Sequence, residues 1–387
     1  MKIVTDANIP FVQAAFGHLG ELKTLNTHEI NPTAVKNADV ILVRSETKVD
    51  KILLEGSKVR FVGTATIGTE HVDLAYLHDK SIGFANAPGS NANAVAEYVI
   101  AALLVLGERK GFDLKGKTLG VVGVGNIGSR VVRMAQAMEM QVLQNDPPLA
   151  RTTGKSRFLP LDALMEADIL TLHVPLTKRG RDATFHLFDK RRFDKMKPGS
   201  ILINTSRGAV VDTAALKNVL SRKILEACVL DVWENEPNID KELLSLTAIG
   251  TPHIAGYSLD GKVNATKIIY QAVCRYFNVP TRWKANADLP VPELTKIQIS
   301  HDSANAENMI RKVVKQCYNI ERDDKKLRVL LSMPDRKSAG YFEQLRSQYP
   351  LRREFFNTTV ILSSPNKTLS EMFKALGFRV EQSQGNK

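Results

Sequence analysis

The sequence predicts an α/β protein: two doubly wound, Rossmann-like parallel-sheet domains followed by a small α+β C-terminal domain. Three observations carry this. Short runs rich in Val, Ile and Leu alternate with helical stretches through residues 1–280, as in a parallel sheet buried on both faces. One strand–turn–helix junction holds the glycine pattern Gly123-Val124-Gly125-Asn126-Ile127-Gly128. A stretch at 281–295, bounded by Pro280 and containing Pro290 and Pro292, then separates a segment of different character.

Taken in order, residues 2–5, 39–43 and 59–64 read as buried strands, and residues 10–19 as helical. Residues 92–106 form a long helix with apolar residues all round its later turns. Strands follow at 118–122, 141–144, 169–173, 201–204 and 227–232, with helical stretches at 161–166, 190–196 and 213–221. Beyond the linker, 306–320 is a helix with Ile310, Val313, Val314 and Cys317 on one face, and 358–362 a strand. Thr368-Leu-Ser-Glu371 reads as a capping box opening a helix with Leu369, Met372, Phe373 and Leu376 on one face, closed by Gly377.

Composition narrows the class. With 43% hydrophobic and 24% charged residues, the 387-residue chain is globular rather than disordered, and long enough for two or three domains. The net charge of +12 favours an anionic partner without choosing among phosphorylated metabolite, nucleic acid and lipid. The start has no signal-peptide core and the longest apolar run is too short for a bilayer, so a cytoplasmic location is expected. The three cysteines, Cys228, Cys274 and Cys317, suit neither a disulfide framework nor a zinc site, and no metal is expected. The basic run Lys190-Arg191-Arg192 has no interleaved aromatics and reads as a solvated face. Neither nucleic acid nor membrane is an expected partner.

The glycine loop predicts dinucleotide binding. Its first glycine permits a tight turn, its second admits a pyrophosphate, and its third lets helix pack on strand. Asp146 ends the next strand, where a carboxylate accepts from the adenosine ribose hydroxyls and repels a 2′-phosphate, which favours NAD over NADP. Downstream, three strand ends carry Arg207, the stretch Leu230-Asp231 to Glu236-Pro237, and His253. A guanidinium, a carboxylate and an imidazole suit hydride transfer on a 2-hydroxy acid. The guanidinium clamps the substrate carboxylate, the imidazole exchanges the hydroxyl proton, and the carboxylate orients the imidazole.

These loops, in this order, resemble the D-isomer-specific 2-hydroxyacid dehydrogenase family over about residues 1–280. Val43-Arg44-Ser45, Phe61 through Thr66 to Asp73, Asp146-Pro147-Pro148 and His253-Ile-Ala-Gly-Tyr257 mark one branch of it, as does the tail with Arg352-Arg353-Glu354. The resemblance implies that Arg207, Glu236 and His253 are catalytic and that Ser45, Thr66 and Tyr257 contact substrate. It implies that Gly123, Gly125, Asn126, Ile127, Gly128, Asp146, Val174, Asp231 and Gly256 hold NAD. It further implies a substrate domain (1–93 plus 257–283), an NAD domain (94–256) and a dimerisation domain (286–387), with the site in the cleft between the first two. The expected substrate is a small phosphorylated 2-hydroxy acid and the expected assembly a homodimer. Arg44 and Lys48 are candidates for the phosphate, and Arg352 and Arg353 for reaching a neighbouring subunit. His71 and His173 are expected to make structural hydrogen bonds. The alternatives are a dehydrogenase of another anionic acid such as 3-phosphoglycerate, and an NAD-sensing corepressor on the same fold.

Overall fold

The inner strands of the first sheet are short and rich in apolar residues: β1 (Lys2–Asp6), β3 (Val40–Val43) and β4 (Phe61–Thr64) are almost wholly buried. The edge strands β2 (Glu21–Leu25) and β5 (Gly83–Ala85) are not, and the sequence pattern misses both because neither shows an apolar run. The computed structural model describes residues 1–285, 289–299 and 305–382. It divides into two compact units, Met1–Asn91 with Ser258–Val291, and Ala92–Tyr257 with Pro292–Lys387.

In the first unit all five strands are parallel, in the order β2-β1-β3-β4-β5. The chain reverses its direction of winding between β1 and β3, and at that switch point loops diverge and leave a crevice. Ser45 follows β3 and is exposed. The helix Leu259–Tyr276, unrecognised in the sequence, returns to this unit and packs Ile269, Tyr270 and Val273 into its core.

In the second unit β6 (Thr118–Val122), β7 (Gln141–Asn145), β8 (Ile169–Leu172), β9 (Ile201–Asn204), β10 (Ala227–Leu230) and β11 (Ile249–Gly250) form a parallel sheet in the order β11-β10-β9-β8-β6-β7. Its switch point lies between β6 and β8. The helix Ala92–Lys110 is apolar all round because it is buried all round. The helices Asn126–Ala137 and Ala306–Cys317 both pack against it. Aspartates cap many of the helices: Asp146, Asp189, Asp212 and Asp240 each accept the N–H of the residue three places on.

The C-terminal segment adds a third parallel sheet, β12 (Lys296–Ile299), β13 (Thr359–Leu362) and β14 (Arg379–Gln382), in the order β12-β13-β14. The expected capping box is displaced. Asn366 caps the helix Lys367–Leu376 by accepting from Leu369 N at 2.9 Å, and Thr368 lies inside the first turn. Asn competes better than Thr for an N-cap. The one-sided apolar faces of the tail are taken up within the chain. Ile310, Val313, Val314, Leu369, Met372, Phe373 and Leu376 all join the core around Ala92–Lys110. The tail also covers the sheet's edge: Asp324 accepts from Gly250 N at 2.8 Å, and Arg328 donates to the carbonyls of Leu244 and Thr247. The first three residues expected in a separate domain, 286–288, lie outside the described residues.

Candidate active site

At the switch point of the second unit the three glycines divide the work. Gly123 turns at φ 86°, and a Cβ there would stand 2.6 Å from the His173 carbonyl oxygen and 2.9 Å from a Val174 methyl. At Gly128 a Cβ would stand 2.0 Å from the Gly123 carbonyl oxygen. Only a hydrogen fits at either. A Cβ at Gly125 would meet no protein atom within 4 Å, so this glycine faces open space where another backbone or a pyrophosphate approaches. The helix Asn126–Ala137 begins there with no side-chain cap, leaving its first N–H groups and dipole for an anion.

Asp146 stands at the end of β7. Its Oδ2 accepts from Val124 N at 2.8 Å and its Oδ1 from Leu149 N at 3.0 Å, which fixes the carboxylate against the glycine loop. Val174 packs beside Gly123 at the same crevice, and His173 is held by Thr171 at 2.9 Å and Thr205 at 3.3 Å. Burial drives the His173 ring down to about 3, so it stays neutral. These residues fit a dinucleotide: an uncapped helix end, a glycine facing space and an acid fixed at the end of the neighbouring strand.

Arg207, Glu236 and His253 sit on loops after β9, β10 and β11. Gly208 explains how the first two meet. A Cβ there would fall 1.9 Å from the Trp233 carbonyl carbon, so only glycine lets the Arg207 turn lie on the 231–236 loop. Asn204 shapes that turn, accepting from Ser206 N and Oγ and donating to the Arg207 carbonyl. Glu236 accepts from Trp233 N through Oε1 at 2.7 Å, and its Oε2 lies 2.7 Å from His253 Nδ1. Enclosure alone would depress the His253 ring, but Glu236 outweighs it and holds the imidazole above its usual range. Burial would raise Glu236, yet the His253 charge and hydrogen bond bring its carboxyl below the usual value. Both partners therefore shift toward the ion pair. With Nδ1 bonded to a carboxylate, Nε2 is the atom left to exchange a proton.

His253 adopts φ 58°, a strained conformation for a side-chain-bearing residue. Asp231 over-determines it. Its backbone carbonyl accepts from His253 N at 2.7 Å, its Oδ1 from Ile254 N at 2.8 Å, and its Oδ2 from Ala255 N at 2.9 Å. Thr251 donates to the same Oδ1 and receives in turn from Tyr98. Asp231 is 1% exposed and burial raises its carboxyl. Its partners within the protein are Thr251 and the amides of this loop. Gly256 and Tyr257 follow on this loop, half-buried.

Ser45 and Thr66 lie in the first unit. Thr66 Oγ1 donates to the Gly68 carbonyl at 2.8 Å and pairs with Thr64, which reaches His71 Nε2 at 3.0 Å. Burial keeps His71 below the usual imidazole value, in line with a structural role.

The sequence does not disclose what the tail adds. Arg352, 6% exposed, donates to the carbonyls of Ala255 at 3.2 Å and Ala94 at 2.7 Å, pairs with Glu97 at 3.3 Å, and lies 3.8 Å over the Tyr318 ring. It is spent inside its own unit, which corrects the idea that it reaches a neighbouring subunit. Tyr349 meets the Tyr257 ring edge-on at 6.0 Å, and Arg346 stands 5.9 Å from the same ring. No signal short of tertiary contact ties these residues to the loop.

A glycine-loop dinucleotide site beside an Arg–Glu–His set defines a nicotinamide-dependent 2-hydroxyacid dehydrogenase. Residues 104–255 match the model of the D-isomer specific 2-hydroxyacid dehydrogenase NAD-binding domain, and residues 289–377 a domain of unknown function (DUF3410). The fold resembles D-lactate dehydrogenase of Aquifex aeolicus complexed with NAD and lactic acid (27% identity, TM-score 0.59), covering 72% of this chain and 96% of that one. It also resembles NAD-bound 3-phosphoglycerate dehydrogenase of Entamoeba histolytica (26%, TM-score 0.62; 72% and 95%). Over almost the full length of both proteins the chain is 46% identical to the erythronate-4-phosphate dehydrogenase of Chromohalobacter salexigens, covering 99% of this chain and 100% of the relative. It is 45% identical to that of Pseudomonas syringae, covering 97% and 99%. The chain belongs to the D-isomer-specific 2-hydroxyacid dehydrogenase family, in the branch of the erythronate-4-phosphate dehydrogenases. It is an NAD-dependent enzyme.

Proposed function

We propose that the enzyme oxidises 4-phospho-D-erythronate at its 2-hydroxyl to 2-oxo-3-hydroxy-4-phosphobutanoate, a step in pyridoxal 5′-phosphate (vitamin B6) biosynthesis. The observation that carries the chemistry is the 2.7 Å pair of His253 Nδ1 and Glu236 Oε2 on the loops beside the glycine turn. NAD, held at the glycine loop, would supply the acceptor for the hydride leaving C2. His253 takes the hydroxyl proton at Nε2, and Glu236 stabilises the imidazolium that results. Arg207 holds the substrate carboxylate through its fork of N–H donors. Ser45, Thr66 and Tyr257 contact the substrate.

For the cofactor, Gly123, Gly125, Asn126, Ile127 and Gly128 receive the pyrophosphate, and Asp146 accepts from the adenosine ribose. Val174 and Gly256 line the site through backbone. Asp231 first holds the His253 loop. Three of its four carboxylate acceptor positions are used there, which leaves one for the nicotinamide amide.

The division of labour follows the same reading: a substrate domain at 1–93 plus 257–283, an NAD domain at 94–256, and a tail from 286 through which the enzyme dimerises in the cytoplasm. Exposed Val329, Leu331, Leu351 and Phe356 in the tail support the dimer. Among the described residues no helix is long and apolar enough to cross a membrane.

The test is NADH formation with a panel of 2-hydroxy acids. 4-Phospho-D-erythronate is expected to give the highest kcat/KM, and Arg207→Ala to abolish turnover in a folded protein. A preference for 3-phosphoglycerate would replace the substrate, and tight NAD binding without turnover of any acid would replace the class.

A further inference from the structure

We propose that Arg346, from the C-terminal segment of unassigned function, binds the phosphate end of the substrate and sets the enzyme's preference for a phosphorylated acid. This rests on the reading above and adds to it the residue that meets the phosphate.

The helix Asp335–Ser347 brings Arg346 in its last turn to the loop that carries His253 and Tyr257. The guanidinium stands 5.9 Å from the centre of the Tyr257 ring, and Tyr349 packs edge-on against the same ring. Its positive charge is felt at both members of the catalytic pair, lowering Glu236 and opposing the rise of His253. Its place against the Tyr257 ring, on the loop that carries His253, needs a reason. The substrate supplies one. Its carboxylate and hydroxyl engage Arg207 and His253, while its phosphate lies four bonds from C2 and carries up to two negative charges. Glu343 accepts from Arg346 Nη1 at 3.2 Å through either carboxylate oxygen, which orients a guanidinium whose side chain is 16% exposed. A planar guanidinium suits the paired oxygens of a phosphate. The tail, docked through Arg352 and the shared core, thus contributes a side chain to substrate recognition within its own chain.

The experiment compares the holoenzyme with Arg346→Met and Arg346→Lys on 4-phospho-D-erythronate and on unphosphorylated D-erythronate, with inorganic phosphate as inhibitor. The Met variant should lose roughly 10- to 100-fold in kcat/KM on the phosphorylated acid, mainly through KM. The ratio of kcat/KM values between the two acids should fall by the same factor, and the inhibition constant for phosphate should rise. Lys should restore part of each. Equal loss on both acids with an unchanged phosphate constant would reassign Arg346 to packing and overturn the proposal. No loss at all would also overturn it and leave Arg44 and Lys48 as the phosphate ligands. If the unaltered enzyme does not turn over 4-phospho-D-erythronate, the proposed function fails, and the phosphate inhibition constant still decides whether Arg346 is an anion site.

Discussion

The Arg352 guanidinium donates to the carbonyl of Ala255, two residues beyond His253, at 3.2 Å. One buried cation from the tail therefore fixes the loop that presents the proton-transfer residue, and ties it to Ala94 and Glu97 on the long helix. The loop that presents His253 is thus held by a residue of the C-terminal segment.

Arg352→Ala is expected to destabilise the protein by about 3–5 kcal/mol, because it leaves Glu97 buried without its counter-charge. Glu97 and Arg352 are 2% and 4% exposed through their side chains, so solvent cannot compensate. Urea unfolding measures this directly. A variant as stable as the parent would show the pair to be dispensable. Arg352→Met with Glu97→Leu should recover much of the loss.

The oxidation rate should rise with pH, with a midpoint above the ordinary imidazole value of about 6.5, since Glu236 holds the His253 ring up. Glu236→Gln should move that limb to lower pH and reduce kcat. An unmoved limb would separate Glu236 from the base. The stability contribution has the opposite sense. With the folded-state value raised, it is present in full below the unfolded value and is lost as pH rises through the folded one.

NAD should be preferred over NADP by at least about two orders of magnitude in kcat/KM, because the proposed place of Asp146 at the ribose would set its carboxylate, already oriented by Val124 N, against a 2′-phosphate. Asp146→Ser should erode that preference and weaken NAD binding as the glycine loop loses its anchor. Equal use of both cofactors by the unaltered enzyme would place Asp146 elsewhere.

Dimerisation is tested by surface variants rather than by truncation. Removing the tail would strip Ile310, Val313 and Phe373 from the core of the second unit, so lost mass and lost folding could not be told apart. Leu351→Asp and Phe356→Asp, at residues 73% and 39% exposed, should instead yield folded monomers by light scattering. A parent protein that is monomeric, or variants that stay dimeric, would refute an interface there.

What the sequence by itself determined is local in nature. Buried parallel strands announce themselves as short apolar runs, and a helix buried all round lacks a polar face, so the inner strands of the first two sheets and the helix Ala92–Lys110 were legible. The glycine loop and the places of Asp146, Arg207, Glu236 and His253 after their strands were legible because strand ends are fixed points of such a fold. Tertiary structure decided the rest. Polar edge strands such as Glu21–Leu25 carry no pattern of their own and exist only through pairing with β1. That the Asp231 carboxylate holds the amides of Ile254 and Ala255 was not legible, since hydrogen-bond partners distant in sequence leave no periodic trace. The apolar stripes of the tail signalled burial without naming what would bury them. The same stripe satisfies a neighbouring helix or a second subunit equally well, and only the packed core shows that it is this chain's own dinucleotide domain that takes them up.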